Sequence, residues 1–82
     1  MSLQLRPVVT EKAVMMIEAQ NVLTFKTGKE FKKNDIKKEV EEIFGVKVEK
    51  VRTLTRDNKK YAYVKLKKGF AAIDVATKLG VM

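Results

Sequence analysis

The chain has 82 residues, a formal net charge of +8, no cysteine and no histidine. Those absences exclude disulfides and thiolate metal sites and remove the commonest general base, so neither catalysis nor a cofactor is expected. With 18 basic side chains against 10 acidic ones, the chain favours a polyanionic partner: nucleic acid is the first candidate and an anionic membrane surface the second.

The N-terminal third of the chain predicts a short strand, a helix and a half-buried strand. The string "PVV" at the only proline is a candidate edge strand. Thr10 is the expected N-cap of a helix that runs to about Ala19 and ends at Asn21. The string "NVLTFKT" then alternates with the period of a strand whose Leu23 and Phe25 face a core.

The stretch "KKNDIKKEVEE" predicts an amphipathic helix whose charges oppose its dipole. Ile36, Val40, Ile43 and Phe44 recur at helical spacing, and Gly45 is the expected C-terminal stop. Lysines crowd the start and glutamates the end, although the helix dipole favours the opposite arrangement. One interpretation is that the lysines deepen a phosphate site at the helix N-terminus. The alternative is that they are solvated and the small penalty is tolerated.

The second half of the chain predicts a hairpin and a last helix. In "VKVEKVRTLTR" the apolar spacing slips, which predicts a bulge near Glu49–Lys50. The tight-turn signal "DNK" leads into a strand over "KKYAYVKLKK". A final helix is expected over residues 71–79, with Ile73, Ala76 and Leu79 facing inward. The predicted fold is therefore α+β: a mainly antiparallel sheet of three long strands plus a short edge strand, with three helices, in the order β(short)-α-β-α-β-β-α.

The last predicted strand carries the most informative pattern. Ala62, Val64 and Leu66 point to one face, while tyrosines and lysines alternate on the other. On such a surface bases stack on the rings and ammonium groups meet phosphates, and the preceding strand is expected to extend it with Lys50. The alternative is a solvated face on which two tyrosines pack across strands. The candidate RNA-binding residues are Arg6, Lys12, Lys26, Lys32, Lys33, Lys37, Arg52, Arg56, Lys59, Lys60, Tyr61, Tyr63 and Lys65.

Three strings together resemble a known family: "RPVVTEKA" at 6–13, "IKKEVEEIFGVKVEKVRTL" at 36–54 and "YAYVKLKKGFAAIDVATKLGVM" at 61–82. They look like large-subunit ribosomal protein L twenty-three in its archaeal and eukaryotic form, over nearly the whole chain. The resemblance implies a single structural, non-catalytic domain over residues 1–82. It also implies binding to the third domain of the large-subunit ribosomal RNA and a place at the rim of the polypeptide exit tunnel.

The resemblance implies partners as well. Family members belong to the large subunit of cytoplasmic ribosomes, neighbour other exit-rim proteins and help to dock the signal recognition particle, the translocon and nascent-chain chaperones. In bacterial relatives one glutamate contacts the exit-site chaperone, and its match here is Glu11 in "TEK". From the residues alone, Glu11 is only a first-turn side chain that compensates the helix dipole. A small-molecule substrate is not expected, and outside the ribosome the chain is expected to be a monomer.

Two departures from the family pattern change what is expected. Bacterial members carry a long basic extension between the last two strands, whereas "RDNKK" here predicts a short turn that does not line the tunnel. The family usually places two basic residues before "AYV", but here Lys60 is followed by Tyr61, so a basic role is not carried over to position 61, where stacking remains available.

Two other classes remain open from the residues. An RNA-recognition-motif domain is one alternative, because "KKYAYVKL" partly fits its signature, although the signature's glycine and last aromatic residue are absent. A basic adaptor whose charged face meets an acidic protein partner is the other. A hydrolase of the acylphosphatase type would require a phosphate cradle, and no glycine-rich loop is present to form one.

Overall fold

The computed structural model of the protein describes residues 6–28 and 30–80. The strands in this part form one antiparallel sheet in the order β1-β2-β4-β3. This confirms the predicted α+β class and the predicted order of elements. Both ends of the domain expected over 1–82 lie outside the described residues. The elements are β1 (Arg6–Pro7), α1 (Glu11–Gln20), β2 (Val22–Thr27), α2 (Lys33–Phe44), β3 (Val48–Arg56), β4 (Lys59–Leu66) and α3 (Ala72–Leu79).

The sheet lies between two helical layers. On one face α2 and α3 pack against the main core, to which they contribute Ile36, Val40 and Val75. α1 lies across the other face, where it buries Ala13, and it also contacts α3, so that its Ile17 joins the main core. No helix in the described part of the chain is long and apolar enough to cross a membrane.

The prediction that β2 is half-buried is wrong. Val22, Leu23, Thr24 and Phe25 are all buried, so both faces of this strand are covered. The reason is that α1 covers the face opposite the core, while β1 and β4 flank the strand on its two edges. The alternation of polar and apolar residues does not show that the second face is buried, because a residue as small as threonine fits beneath a helix.

The strand pairing determines which side chains share a face. In the centre of the sheet Ala62 lies opposite Phe25, and Val64 lies opposite both Leu23 and Val51. These aliphatic and aromatic side chains point into the main core. The register between β3 and β4 shifts between Val48 and Lys50, which confirms the predicted bulge near Glu49–Lys50.

Left-handed backbone conformations occur where the chain turns most sharply. Asp57 and Asn58 have φ angles of 52° and 62°, as a two-residue hairpin loop with two positive φ angles requires. The predicted turn at "DNK" is therefore confirmed. Gly45 ends α2 with a φ angle of 64°, and its amide donates to the Glu41 carbonyl.

Two apolar side chains that were predicted to face inward are exposed. On α2 the buried positions follow a four-residue repeat that ends at Phe44, whose ring stacks on Phe25 with centroids 6.3 Å apart. Ile43 lies one position away from that line and is 54% exposed. On α3 the side chains of Val75 and Ala76 are buried, while Ile73 is 44% exposed.

Two predicted strand boundaries also require correction. The edge strand consists of Arg6–Pro7 rather than "PVV", although the Val8 amide still donates to the Thr24 carbonyl at 3.0 Å. The hairpin's second strand ends at Leu66, two residues earlier than predicted, although the Lys67 amide still donates to the Lys47 carbonyl at 2.9 Å, next to the Val48–Leu66 pair.

Asn21 joins the end of α1 to the loop before α3. It has a left-handed conformation with a φ angle of 58°, which asparagine tolerates better than most residues. Its side-chain amide donates to the Phe70 carbonyl at 2.8 Å, and its Oδ1 accepts from the Ala72 amide at 2.6 Å. Its backbone carbonyl accepts from the Leu66 amide at 3.2 Å. One residue therefore connects α1, the end of β4 and the start of α3.

We expect Asn21→Ala to lower the free energy of unfolding by about 3 kcal/mol, because the carbonyls of Leu66 and Phe70 and the Ala72 amide lose a partner and alanine disfavours the left-handed conformation. Asn21→Gly removes the same hydrogen bonds without the conformational cost and should lose about 2 kcal/mol. Urea denaturation measures both losses. A glycine variant as stable as the natural chain would contradict a stabilising role of the side-chain hydrogen bonds.

Candidate nucleic-acid interface

The sheet face opposite the main core is here called the outer face. One row across it joins Lys26 of β2 with Tyr61 of β4 and Leu54 of β3. The next row joins Thr24, Tyr63 and Arg52. No residue with a strand partner on the described outer face is acidic. Its basic residues are Arg6, Lys26, Lys50, Arg52, Arg56, Lys59 and Lys65.

Like charges lie directly opposite one another on the outer face. Such cross-strand pairs destabilise a sheet, whereas opposite charges at the same positions would stabilise it. The isolated protein therefore carries a repulsion that an anionic partner would relieve. The three pairs are Lys50–Lys65, Arg56–Lys59 and Arg6–Lys26.

A groove separates α1 from the outer face, and we call it the α1 groove. Its largest part has a volume of about 870 Å³ and lies beside the C-terminal half of α1. Smaller concavities continue it toward the start of the helix, where Lys12 lines both of them. Tyr63, which is half-buried, lines all three parts. The tyrosines of the outer face are therefore bordered by a helix and do not lie on an open sheet.

The predicted RNA-binding residues fall on two separate surfaces. Lys33 and Lys37 are exposed on α2, and Lys32 is exposed at its N-cap; this helix packs against the opposite face of the sheet. Lys60 also points to that side, where its ammonium group donates to the Phe31 carbonyl at 2.5 Å. These four lysines are called the α2 surface. The other predicted residues are Lys12 and residues of the outer face. Because the two surfaces lie on opposite sides of the sheet, a single straight segment of RNA cannot contact both.

The reversed charges of α2 have a partial explanation within the protein. The Asp35 carboxylate accepts from the Lys32 amide at 3.2 Å and so satisfies one N–H at the helix start. Near the other end, Glu41 accepts from the Val48 amide at 2.9 Å and ties α2 to β3. Sequence reasoning missed the role of Glu41, because the loop between α2 and β3 brings its carboxylate next to the Val48 amide only in the folded protein. Neither contact involves a lysine side chain.

Glu11 is exposed in the first turn of α1. The helix starts at this residue because the Thr10 hydroxyl accepts from the Ala13 amide at 3.1 Å, as predicted for an N-cap. Met15 follows Glu11 by four residues, on the same side of the helix, and is 62% exposed. Val9 just before the helix is 64% exposed. Sequence reasoning did not single out these two apolar neighbours, although the spacing of Met15 from Glu11 is visible in the sequence.

The chemistry available to these surfaces is binding by charge, hydrogen bonding and ring stacking. Within residues 6–28 and 30–80 no three acidic side chains come together as potential metal ligands. Buried hydroxyl groups at Thr24 and Thr27 have no hydrogen-bond partner, but they lie on opposite faces of β2 and do not form a common site.

We expect Lys50→Glu to raise the free energy of unfolding by about 0.5 kcal/mol at low salt, because it turns the repulsion with Lys65 into an attraction. The gain should shrink near 1 M salt, where the screening length is only about 3 Å. Urea denaturation at both salt concentrations measures it. Lys68→Glu makes the same change in net charge outside the sheet and serves as the control. Equal stabilities of the two variants would contradict the cross-strand repulsion.

Comparison with known families supports the resemblance seen in the sequence. The family model of ribosomal protein L23 matches residues 2–72. The matched range contains the whole sheet with α1 and α2, and it ends at the first residue of α3. It thus includes both the outer face and the α2 surface. The chain belongs to the ribosomal protein L23 family and is a constituent of the large subunit of the cytoplasmic ribosome.

Proposed function

We propose that the chain binds the third domain of the large-subunit ribosomal RNA through its outer face and lines the rim of the polypeptide exit tunnel. The observation that carries the RNA contact is the set of three like-charge pairs around two tyrosines on one sheet face. Phosphates supply the counter-charge for the lysines and arginines, and ribose or base rings pack on the tyrosines. The place at the exit rim and the choice of the third domain rest on the family resemblance.

Family membership argues against the two other classes. In a large ribosomal subunit the dominant polyanion is the ribosomal RNA, so an acidic protein is not needed to explain the net charge of +8. The RNA-recognition-motif signature has a glycine and a final aromatic residue, and this chain has Lys60 and Leu66 at those positions.

The α2 surface is proposed as a second contact with ribosomal RNA. Lys32, Lys33 and Lys37 stand at the positive end of a helix dipole, where each adds to an unfavourable potential in the free protein. A phosphate at this end would interact favourably with both the lysines and the dipole. Because the α2 surface and the outer face lie on opposite sides of the sheet, they would contact different segments of the folded RNA.

The test is binding to an isolated third-domain RNA fragment and to an unrelated structured RNA across a salt series. We expect a preference of about a hundredfold for the ribosomal fragment, together with a fall of log K with log salt for both RNAs. Arg52→Gln and Lys33→Gln, one from each surface, should each reduce the salt slope by about one. Lys68→Gln, which lies on neither surface, should leave the slope unchanged. Equal affinity for the two RNAs would contradict specific ribosomal RNA binding.

We further propose that Glu11, with the exposed Val9 and Met15, forms part of the docking site for factors at the tunnel exit. Methionine is enriched at protein contact surfaces, and a charged side chain such as that of Glu11 suits the polar rim of such a surface. The identity of the docking factor, for instance the signal recognition particle or the translocon, follows from the family resemblance.

In ribosomes assembled with the variant protein, Glu11→Ala should weaken binding of the signal recognition particle by about tenfold, which corresponds to about 1.4 kcal/mol and would place Glu11 among the minority of contact residues whose truncation costs more than about 1 kcal/mol. Binding of the isolated protein to the RNA fragment should remain unchanged, since Glu11 lies at the start of α1. Co-sedimentation with ribosomes measures the first effect. Glu42→Ala, an exposed glutamate on α2, is the matched control. Equal docking by both variants would contradict the proposal.

A further inference from the structure

The sheet wall of the α1 groove combines positive charge with one aromatic ring. Arg52 lies directly opposite Tyr63 on the neighbouring strand, and Lys50 lies directly opposite Lys65 in the next row. All four residues line the largest part of the groove. A guanidinium and two ammonium groups around a tyrosine ring provide adjacent sites for a phosphate and for a stacked aromatic ligand.

The helix wall of the α1 groove has a different composition. Gln20 and Glu18 lie on this side and present an amide and a carboxylate, which hydrogen-bond polar edges. Val22 is buried beneath the groove and gives it an apolar base. A volume of about 870 Å³ is within the range of roughly 300–1,000 Å³ that is usual for small-molecule sites, so the groove has room for a nucleotide.

We infer that the α1 groove holds an unpaired nucleotide of RNA, with its base against Tyr63 and its phosphate beside Arg52 and Lys65. The inference rests on the proposed RNA-binding function. It adds that this part of the outer face binds unpaired rather than double-stranded RNA. A base within a duplex cannot reach Tyr63, because its faces are stacked on its neighbours and α1 stands beside the ring. An unpaired base can be turned out of its strand and inserted. Charge complementarity favours a nucleic acid over a neutral peptide as the occupant.

The first experiment compares an oligouridylate of about eight nucleotides with an RNA duplex of equal length at one salt concentration. We expect the single strand to bind at least about tenfold more tightly. Equal or tighter binding of the duplex would overturn the inference. Displacement of the oligouridylate by an equal charge concentration of polyglutamate would also overturn it, because the groove would then be a surface for acidic peptides.

The two tyrosines and the absence of tryptophan allow a direct test of the stacked ring. Tyr61→Phe leaves Tyr63 as the sole tyrosine, and Tyr63→Phe leaves Tyr61. Stacking of a base should quench the fluorescence of the first variant strongly and that of the second much less. Equal quenching in both variants, or none in Tyr61→Phe, would overturn the assignment of Tyr63.

Binding of the side-chain variants separates stacking from general charge. Tyr63→Leu should lower the affinity for oligouridylate by about tenfold, whereas Tyr63→Phe should stay within about twofold of the natural chain. Far-ultraviolet circular dichroism and urea denaturation establish that both variants are folded. Unchanged affinity of Tyr63→Leu would overturn the inference while leaving ribosomal RNA binding intact. Failure of the natural chain to prefer the ribosomal fragment would instead count against the proposed function.

Discussion

The hydrogen-bonded position of β4 between β2 and β3 is the constraint on which the other features depend. Directly paired residues of antiparallel strands point to the same face of the sheet. The alternation of β4 therefore determines the face on which the side chains of β2 and β3 lie, as well as its own. Ala62 and Val64 point into the core, and so do the apolar residues of β2 and β3 that pair with them. Tyr61 and Tyr63 point to the outer face, where they share rows with the basic residues Lys26 and Arg52. A shift of the register by one residue would exchange the two sets, so the core and the candidate interface are determined together.

α1 turns this charged face into a shaped site. The helix covers the β2 side of the outer face, where Thr24 is buried, and leaves the β3 side with Arg52 and Arg56 exposed. Its placement depends on Asn21, whose side chain and backbone connect the helix end to β4 and α3. The position of the α1 groove is thus maintained by a polar junction at the end of the sheet, and Asn21 itself lines the groove together with Lys65.

Features that depend on the spacing of neighbouring residues could be predicted from the sequence, whereas those that depend on tertiary packing could not. The Thr10 cap, the bulge near Glu49–Lys50 and the hairpin turn each follow from a few neighbouring residues, and the structure confirms them. The covered second face of β2 and the tie from Glu41 to Val48 join residues whose closeness arises only from packing. The two surfaces were not separated in the prediction because residues were grouped by charge.

Lys60 shows how that grouping misleads. Its even position in β4 places it with Ala62 on the core side, so strand alternation already assigned it to a different face from Tyr61. The error at Ile73 has a different cause. α3 has only eight residues, so its sequence contains too few apolar positions to show whether Ala72 or Ile73 begins the buried face.

The like-charge pairs also bear on copies of the protein that have not joined a ribosome. A partner that binds only the folded state stabilises it by mass action, so a copy without RNA unfolds more easily than an assembled one. Two of the three pairs involve β3, which is an edge strand of the sheet, and local opening at an edge exposes backbone to proteases. If the outer face binds ribosomal RNA as proposed, surplus copies would be the form most readily degraded, and turnover itself would match the amount of this protein to the RNA available for assembly.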